Sequence, residues 1–444
     1  MQDQALLMGT APIPRLILRF ALPSMVGLLA NALYNIVDRI FIGHYVGADG
    51  LASISIVFPL VLLIVAFASL IGVGSASQIS RRLGAQDYAK AQQAFGNGLF
   101  ASAAFLCLTM PLLMLLMPQI IMLCGATEHI APITGVYLAI CAPAIPLQFL
   151  AMVLMNAMRA EGQPQQAMWG MIVGALANVV LDWYFIARLH MGVAGAAWGT
   201  VIAQIAAFLW IAFFYVRRRG VLRISLRSMH PSWPVLREMT AVGISPFLVN
   251  IFFSLAMVIF NVLLGKYGGE IAISAMGIFF GLDSFFFMPV TGIGEGASPL
   301  IGYNYGAGNF DRLRQTVRIA MTLAVAYFVF SAFVAVTWPE ALVALFSKGN
   351  DELVRVTARS MRIGYACLPF SGVCLISVAV LESLGRAKTA FLFNLIRQLT
   401  LIPILLLLPR LWGVDGVWAT FPVIDFLGGV AGALLVKAES RRWK

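Results

Sequence analysis

The second half of this chain repeats the first. Displaced by 222 positions, half of its 444 residues, the sequence lays Gly43-His44-Tyr45-Val46-Gly47 on Gly265-Lys266-Tyr267-Gly268-Gly269. At the same displacement Gly84-Ala85 falls on Gly306-Ala307, Tyr88 on Phe310 and Lys90 on Arg312. With one residue of slip, Gly192-Val193-Ala194-Gly195 matches Gly413-Val414-Asp415-Gly416, and Trp198 and Thr200 match Trp418 and Thr420. A repeat on this scale constrains the fold to two copies of one unit. The differences between the copies are then where function is to be sought.

The unit is a membrane one. Apolar residues make up 61% of the chain and charged residues 11%, against roughly 25% charge in a soluble domain. A helix needs about 20 apolar residues to cross a bilayer core. Stretches of that kind occur at 16–43, 51–79, 92–117, 131–157, 164–187, 193–216, 239–264, 271–297, 316–338, 357–381, 388–409 and 415–436. The fold class expected is an all-α membrane protein, twelve transmembrane helices in two parallel six-helix repeats around a central cavity. The repeats are parallel because six crossings return the chain to the face it left. Residues 1–216 form an N-lobe of spans 1–6. Residues 217–237 are a cytoplasmic linker, marked by Arg217-Arg218-Arg219, Pro231 and Pro234. Residues 238–444 form a C-lobe of spans 7–12 with a short cytoplasmic tail. Residues 1–15 carry no basic n-region with a cleavage site, so no signal peptide is expected.

The net charge is +11, which by itself would suit nucleic acid. Its placement argues otherwise. Arg81, Arg82, Lys90, Arg159, Arg217, Arg218, Arg219, Arg223, Arg227, Arg312, Arg314, Arg386 and Lys444 share one face with both termini, and only Arg39, Arg188, Lys266, Lys348, Arg355 and Arg410 lie on the other. The bias predicts both termini in the cytoplasm and contact with the lipid bilayer rather than with nucleic acid. The five cysteines, Cys107, Cys124, Cys141, Cys367 and Cys374, have no zinc or redox spacing and read as core residues. GxxxxGK[ST], HExxH, GxSxG and a TVGYG filter are all absent, and His44, His129, His190 and His230 fall in expected loops. Neither an enzyme nor a cofactor is expected.

Ionisable residues within hydrocarbon are costly, so each is a functional candidate. Asp38 in span 1 and Asp182 in span 5 both lie roughly 9 Å from the same membrane face, and Thr200 in span 6 lies roughly 12 Å from it. Asn178 precedes Asp182 by four residues and shares its helix face. Four oxygen-bearing side chains thus share one layer. Two carboxylates in a dry site can hold a proton or ligate a hard cation such as Na⁺. Asp38 beside Arg39 also fits an interfacial ion pair. The displaced copy replaces Asp38 by Phe260 and Asp182 by Ile404 and keeps only Thr420 for Thr200, so this feature belongs to the first lobe. Tyr34, Asn31 and Asn35 lie close by in span 1 and are candidates for the substrate cavity. Pro23 in the same span breaks one helical hydrogen bond and is either a static bend or a hinge. The second lobe carries a different set, Asp283, Arg397 and Asp425. Depth makes an Asp283–Arg397 ion pair feasible, and an unpaired Asp425 facing the cavity would attract a cation.

These residues resemble the multidrug and toxic compound extrusion (MATE) family over nearly the whole chain. The likeness is carried by Asn178-x3-Asp182 with Thr200, Asp38 and Pro23, and by the stretch from Glu295-Gly296-Ala297-Ser298-Pro299 to Tyr305-Gly306-Ala307. The resemblance implies a bacterial or archaeal inner-membrane protein. It implies that Asp38, Asn178, Asp182 and Thr200 bind the coupling ion, H⁺ or Na⁺, with Pro23 as the bending point of span 1. It is closer to the branch with an N-lobe site than to the norfloxacin-exporter branch, which uses acids in spans 7 and 10. Here those spans offer only Glu238 and Glu382, at their ends. The function implied is a monomeric secondary antiporter exporting amphipathic, often cationic drugs. The alternatives are a lipid-linked precursor flippase of the same superfamily, expected to show a basic cavity and extra spans, and an uncoupled channel.

Overall fold

In the computed structural model the described residues are 7–124, 128–217, 220–344 and 351–443. Arg218, Arg219, Lys348 and Lys444 of the charge pattern lie outside them. Hydrocarbon offers no partner to an open backbone group, so a spanning segment satisfies its own hydrogen bonds as helix. Span 1 is Ile13–Tyr45, span 2 Asp49–Gly84, span 3 Tyr88–Leu115, span 4 Ala131–Ala160, span 5 Pro164–Arg188 and span 6 Gly192–Val216. Span 7 is Trp233–Gly269, span 8 Ile271–Gly306, span 9 Phe310–Thr337, span 11 Ala387–Trp412 and span 12 Val414–Ser440. Span 10 is a bent pair, Asp351–Gly364 and Leu368–Ser383, with 56° between its halves.

Two boundaries differ from the sequence reading. Span 7 starts at Trp233, so the end of the expected linker is already its first turn, with Pro234 in the position where a missing N–H costs nothing. His44 lies in the last turn of span 1 rather than in a loop, because the helix runs on past the apolar stretch to Tyr45.

The duplication survives in the breaks. Span 4 passes through a 3-10 turn at Ala142–Ala144, which contains Pro143 and precedes Pro146, and span 10 bends just before Pro369. Proline denies its helix a donor and biases the residue before it away from helix, so both copies break at the same place. Between spans 7 and 8 the chain turns at Gly269, whose φ of 68° is left-handed.

The two lobes meet along a seam at the face where the chain enters span 1 and leaves span 12. A Cβ on Gly84 would lie 1.9 Å from the Tyr303 carbonyl, and one on Gly306 would lie 1.9 Å from the Arg81 carbonyl. These contacts are copies of each other under the repeat, glycine of one lobe against backbone of the other. Further up the seam a Cβ on Gly243 would lie 1.8 Å from the Leu70 carbonyl, and one on Gly292 would lie 2.7 Å from the Met25 nitrogen. Polar ties flank the glycines. Arg81 meets Glu238 at 2.8 Å, and the Ser77 hydroxyl donates to the Glu382 carbonyl at 2.6 Å. Each lobe also holds the segment that leads into the other. Asn304 and Arg312 donate to the carbonyls of Met8 and Ala11 ahead of span 1. Gln92 and Asn97 donate to the carbonyls of Arg223 and His230 ahead of span 7. At the far face the N-lobe core is its own: Ile42, Val57, Tyr137, Ile186 and Val193 pack together without the C-lobe.

The linker is pinned by one more group. Glu161, in the turn after span 4, accepts from the backbone N–H of Val221 at 2.9 Å and of Leu222 at 3.1 Å. It is 1% exposed, and burial pushes its carboxyl up from 4.5 to about 7. The docked state therefore holds the proton more tightly than the released one. Docking is strongest below about pH 4.5 and weakens as pH rises through about 7. Hydrogen exchange at Val221 and Leu222 should speed up across that window, and Glu161→Gln should flatten the dependence. At the seam, Gly84→Val should lower the thermal midpoint by several degrees, since neither backbone has room to retreat. It should also lengthen distances between spin labels placed on the two lobes. An unchanged distance distribution would show that the seam does not set lobe separation.

Candidate functional site

Asp38, Asn178, Asp182 and Thr200 come from three helices that pack together. Span 1 lies along span 5, and span 5 along span 6. Asp38, Asp182 and Thr200 lie about two turns from the helix end at the far face, and Asn178 one turn deeper, by the 5.4 Å pitch. Asp182 sits where the α-helix of span 5 gives way to a π-helical turn, Trp183–Arg188. Wider turns of this kind cluster at functional sites because they re-aim one side chain. The packing is tight: a Cβ on Gly199 would lie 2.3 Å from Asp182 Oδ1. Glycine there lets span 6 close over the carboxylate.

Asp38 is 8% exposed, Asn178 1% and Asp182 0%. The two carboxyls lie within hydrogen-bonding reach of each other, and Asn178 Nδ2 donates to Asp182 Oδ1 at 3.4 Å. Three buried oxygens remain without a partner: Asp38 Oδ1, Asn178 Oδ1 and Asp182 Oδ2. An unpartnered buried acceptor is costly. Three of them, two from the neighbouring carboxyls and one from Asn178, form a cage of acceptors that a proton or an oxygen-seeking cation would satisfy. The same set is chemically fit for either.

The structure adds a residue that the sequence reading passed over. Tyr137, in the first half of span 4, is 8% exposed. Its hydroxyl lies near Thr200, Cys141 and Asp38. Tyr137 thus stands in the layer of the acidic pair. The depth reckoning used for Asp38 would have found it, since Tyr137 lies about 9 Å along span 4 from the same face. Tyr34 is hydrogen-bonded to Asn35 and lies near both acids. Asn35 donates to the Asn31 carbonyl at 2.8 Å, and both asparagines are exposed. Pro23 is buried within a continuous helix.

A cavity of about 230 Å³ lies between the lobes, lined from spans 2, 4, 7, 8, 10 and 11. Asn31, Tyr34 and Asn35 are not among its walls, because span 1 carries them toward the far face, beyond the seam. Arg397 does line it, whereas Asp283 and Asp425 do not. The polar cluster of the second lobe divides differently from the expected ion pair. Asp283 meets the hydroxyl of Tyr365 at the bend of span 10, and that hydroxyl also donates to the Phe279 carbonyl at 3.2 Å. Asp425 lies near Ser371, and the acid near Arg397 is Asp425. Span 12 packs against spans 10 and 11, which places its acid, not that of span 8, next to the arginine. The phenylalanines of span 8 pack: Phe279 stacks on Tyr365 with centroids 4.5 Å apart. Glu238 is held by Arg81, and Glu382 accepts from the Ser245 hydroxyl at 2.7 Å.

A protein-family model described as MatE matches residues 23–184 and again 246–407, so the repeat is a family unit used twice. The multidrug export protein MepA of Staphylococcus aureus (strain MSSA476) is 27% identical over 426 residues, covering 96% of this chain and 94% of the relative. MepA of Staphylococcus saprophyticus is 26% identical, covering 94% and 92%. Among solved structures, a MATE protein in a bent conformation superposes with a TM-score of 0.92 at 22% identity, covering 99% of this chain and 98% of that one. A MOP superfamily transporter from Pyrococcus furiosus superposes at 0.90 and 23% identity, covering 98% of each. At such identities these two establish the fold.

The tight fit of Gly199 gives a direct probe of the acidic cage. Gly199→Ala should displace the Asp182 carboxylate and cut proton or Na⁺ binding by purified protein at least about tenfold. The exposed neighbour Trp198 serves as control, with Trp198→Phe expected to leave binding unchanged. Equal binding in the Gly199→Ala and Trp198→Phe variants would exclude the cage as an ion site.

Proposed function

The chain belongs to the MatE family of multidrug and toxic compound extrusion proteins, and on that premise we propose that it is a secondary antiporter exporting amphipathic, often cationic organic molecules. Inward flow of H⁺ or Na⁺ drives it. The observation that carries this reading is the pair of neighbouring carboxyls on spans 1 and 5, which with Asn178 leave three buried oxygens unpartnered. The relatives named multidrug export proteins support the substrate class. The basic residues gathered at the seam face support cytoplasmic termini and an inner-membrane location.

Asp38, Asn178, Asp182 and Thr200 hold the coupling ion in this scheme, with Tyr137 beside them. An ion arriving from the far face neutralises the pair and draws span 1 toward span 5. Pro23 leaves the Arg19 carbonyl without its intrahelical donor, which makes that level the cheapest place to bend. Below it, span 1 runs along the seam: a Cβ on Gly296 would lie 2.5 Å from the Ala21 nitrogen. Bending at Pro23 is thereby transmitted to the lobe contact, and ion and drug act on one equilibrium between closed and open seams. No cofactor beyond the ion enters, and one chain supplies both lobes, so a monomer suffices. A flippase for diphosphate-linked lipid is not favoured: the cavity wall carries two acids, Glu295 and Glu382, beside Arg159 and Arg397, rather than presenting a basic surface.

Proteoliposomes loaded with a fluorescent cationic dye test the reading under separately imposed pH and sodium gradients. Wild-type protein should export dye under one of them. Asp38→Asn and Asp182→Asn should each reduce the gradient-dependent rate by at least about 100-fold, as loss of an essential buried proton or cation carrier implies. Full gradient-dependent export by both variants would sink the mechanism.

A further inference from the structure

Four ionisable side chains line the cavity between the lobes: Arg159, Glu295, Glu382 and Arg397. Two are committed to their own lobe. Glu382 accepts from Ser245, whose hydroxyl takes a bond from Asn394 at 2.8 Å. Arg397 has Cys374 and Asp425 of its own lobe as its charged or ionisable neighbours. The remaining two face each other across the lobes. Arg159, from the last turn of span 4, places Nη1 3.0 Å from Glu295 Oε2 on span 8. The Arg159 side chain is 10% exposed, and its other guanidinium nitrogen has only the thioether of Met171 at 3.7 Å, a weak acceptor. The Glu295 side chain is 30% exposed and opens into the cavity. The wall is mostly apolar, with Val73, Ala76, Val290, Leu375 and Ala379, and carries neutral polar groups such as Asn156, Thr291 and Ser298.

From this geometry we propose that Glu295 is the group by which the cavity recognises organic monocations, and that Arg159 of the opposite lobe occupies it when the cavity is empty. The inference rests on the efflux reading above and names the substrate contact within it. A half-buried carboxylate against an apolar wall is costly without a counter-charge, so a resident cation stabilises the empty cavity. Arg159 is that cation, held by little else. A lipophilic cation entering along the apolar wall takes its place at the Glu295 carboxylate. Glu295 is then satisfied from within the cavity, and an ion pair tying the lobes is released. A neutral amphiphile leaves the pair intact and gains only from the apolar wall. Charge thereby sets both affinity and the ease with which the seam opens.

Binding of tetraphenylphosphonium and of its neutral analogue triphenylphosphine oxide to detergent-purified protein tests this. Glu295→Gln should weaken tetraphenylphosphonium binding at least about tenfold while leaving the neutral analogue within about twofold. Glu295→Asp should retain the preference for the cation. Arg159→Met removes the resident competitor and should tighten tetraphenylphosphonium binding, again without effect on the neutral analogue. Equal losses for both probes in Glu295→Gln, or weaker cation binding in Arg159→Met, would overturn the proposal. Elution profile and thermal midpoint establish folding, and should Glu295→Gln fail that check, the Arg159→Met result decides. Wild-type proteoliposomes that export tetraphenylphosphonium under neither gradient would instead overturn the efflux reading, while the binding results would still decide the role of Glu295.

Discussion

Everything in this molecule hangs on the backbone-to-backbone contact between its lobes. Gly84 lies against Tyr303 and Gly306 against Arg81 at a separation that no side chain could enter. In hydrocarbon there is no hydrophobic force to press helices together, so association relies on close packing and on polar ties. Small residues supply the first, and Ser77, Arg81 and Glu238 supply the second. A seam of this kind is either closed or open, since close-packed surfaces do not stretch. The cavity lies on that contact, and span 1, which carries Asp38, runs along it at Ala21.

The duplication explains why one seam can serve both lobes, and its failures show where each lobe has specialised. Glycines and prolines at turns, breaks and close approaches are kept, because backbone geometry leaves them no substitute. The acids are not kept. Asp38 and Asp182 face Phe260 and Ile404 at the corresponding places of the C-lobe, and Phe260 there stacks on Phe421 with centroids 4.8 Å apart. One lobe holds an oxygen cage where the other holds aromatic packing. The second lobe instead spends its polar residues near the bend of span 10 and on the cavity wall.

Much of this was legible in the residues. Apolar length placed all twelve spans, because a bilayer imposes one length on every crossing. Depth reckoning brought Asp38, Asn178 and Asp182 into one layer, because the helical rise is constant. Where the reading fell short, lateral position was the missing quantity. Tyr137 escaped notice because a single tyrosine in span 4 has no periodic signal, although its depth matched. Asp283 was set beside Arg397 because both lie near the midplane, but helices at equal depth need not be neighbours, and Asp425 holds that place.

The amino-acid sequence by itself determined that this is a twice-repeated helical membrane protein, which residues are buried at a cost, and at what depth they lie. Those properties follow from hydrophobicity and from the fixed rise of a helix, both local to the chain. Which helix stands next to which was decided only by the tertiary structure. That includes the contact of Asp38 with Asp182, the closure of Gly199 over that acid, and the meeting of Arg159 with Glu295 across the lobes. Such contacts depend on how ridges and small residues of distant segments interlock, and no local property of the chain encodes that pairing.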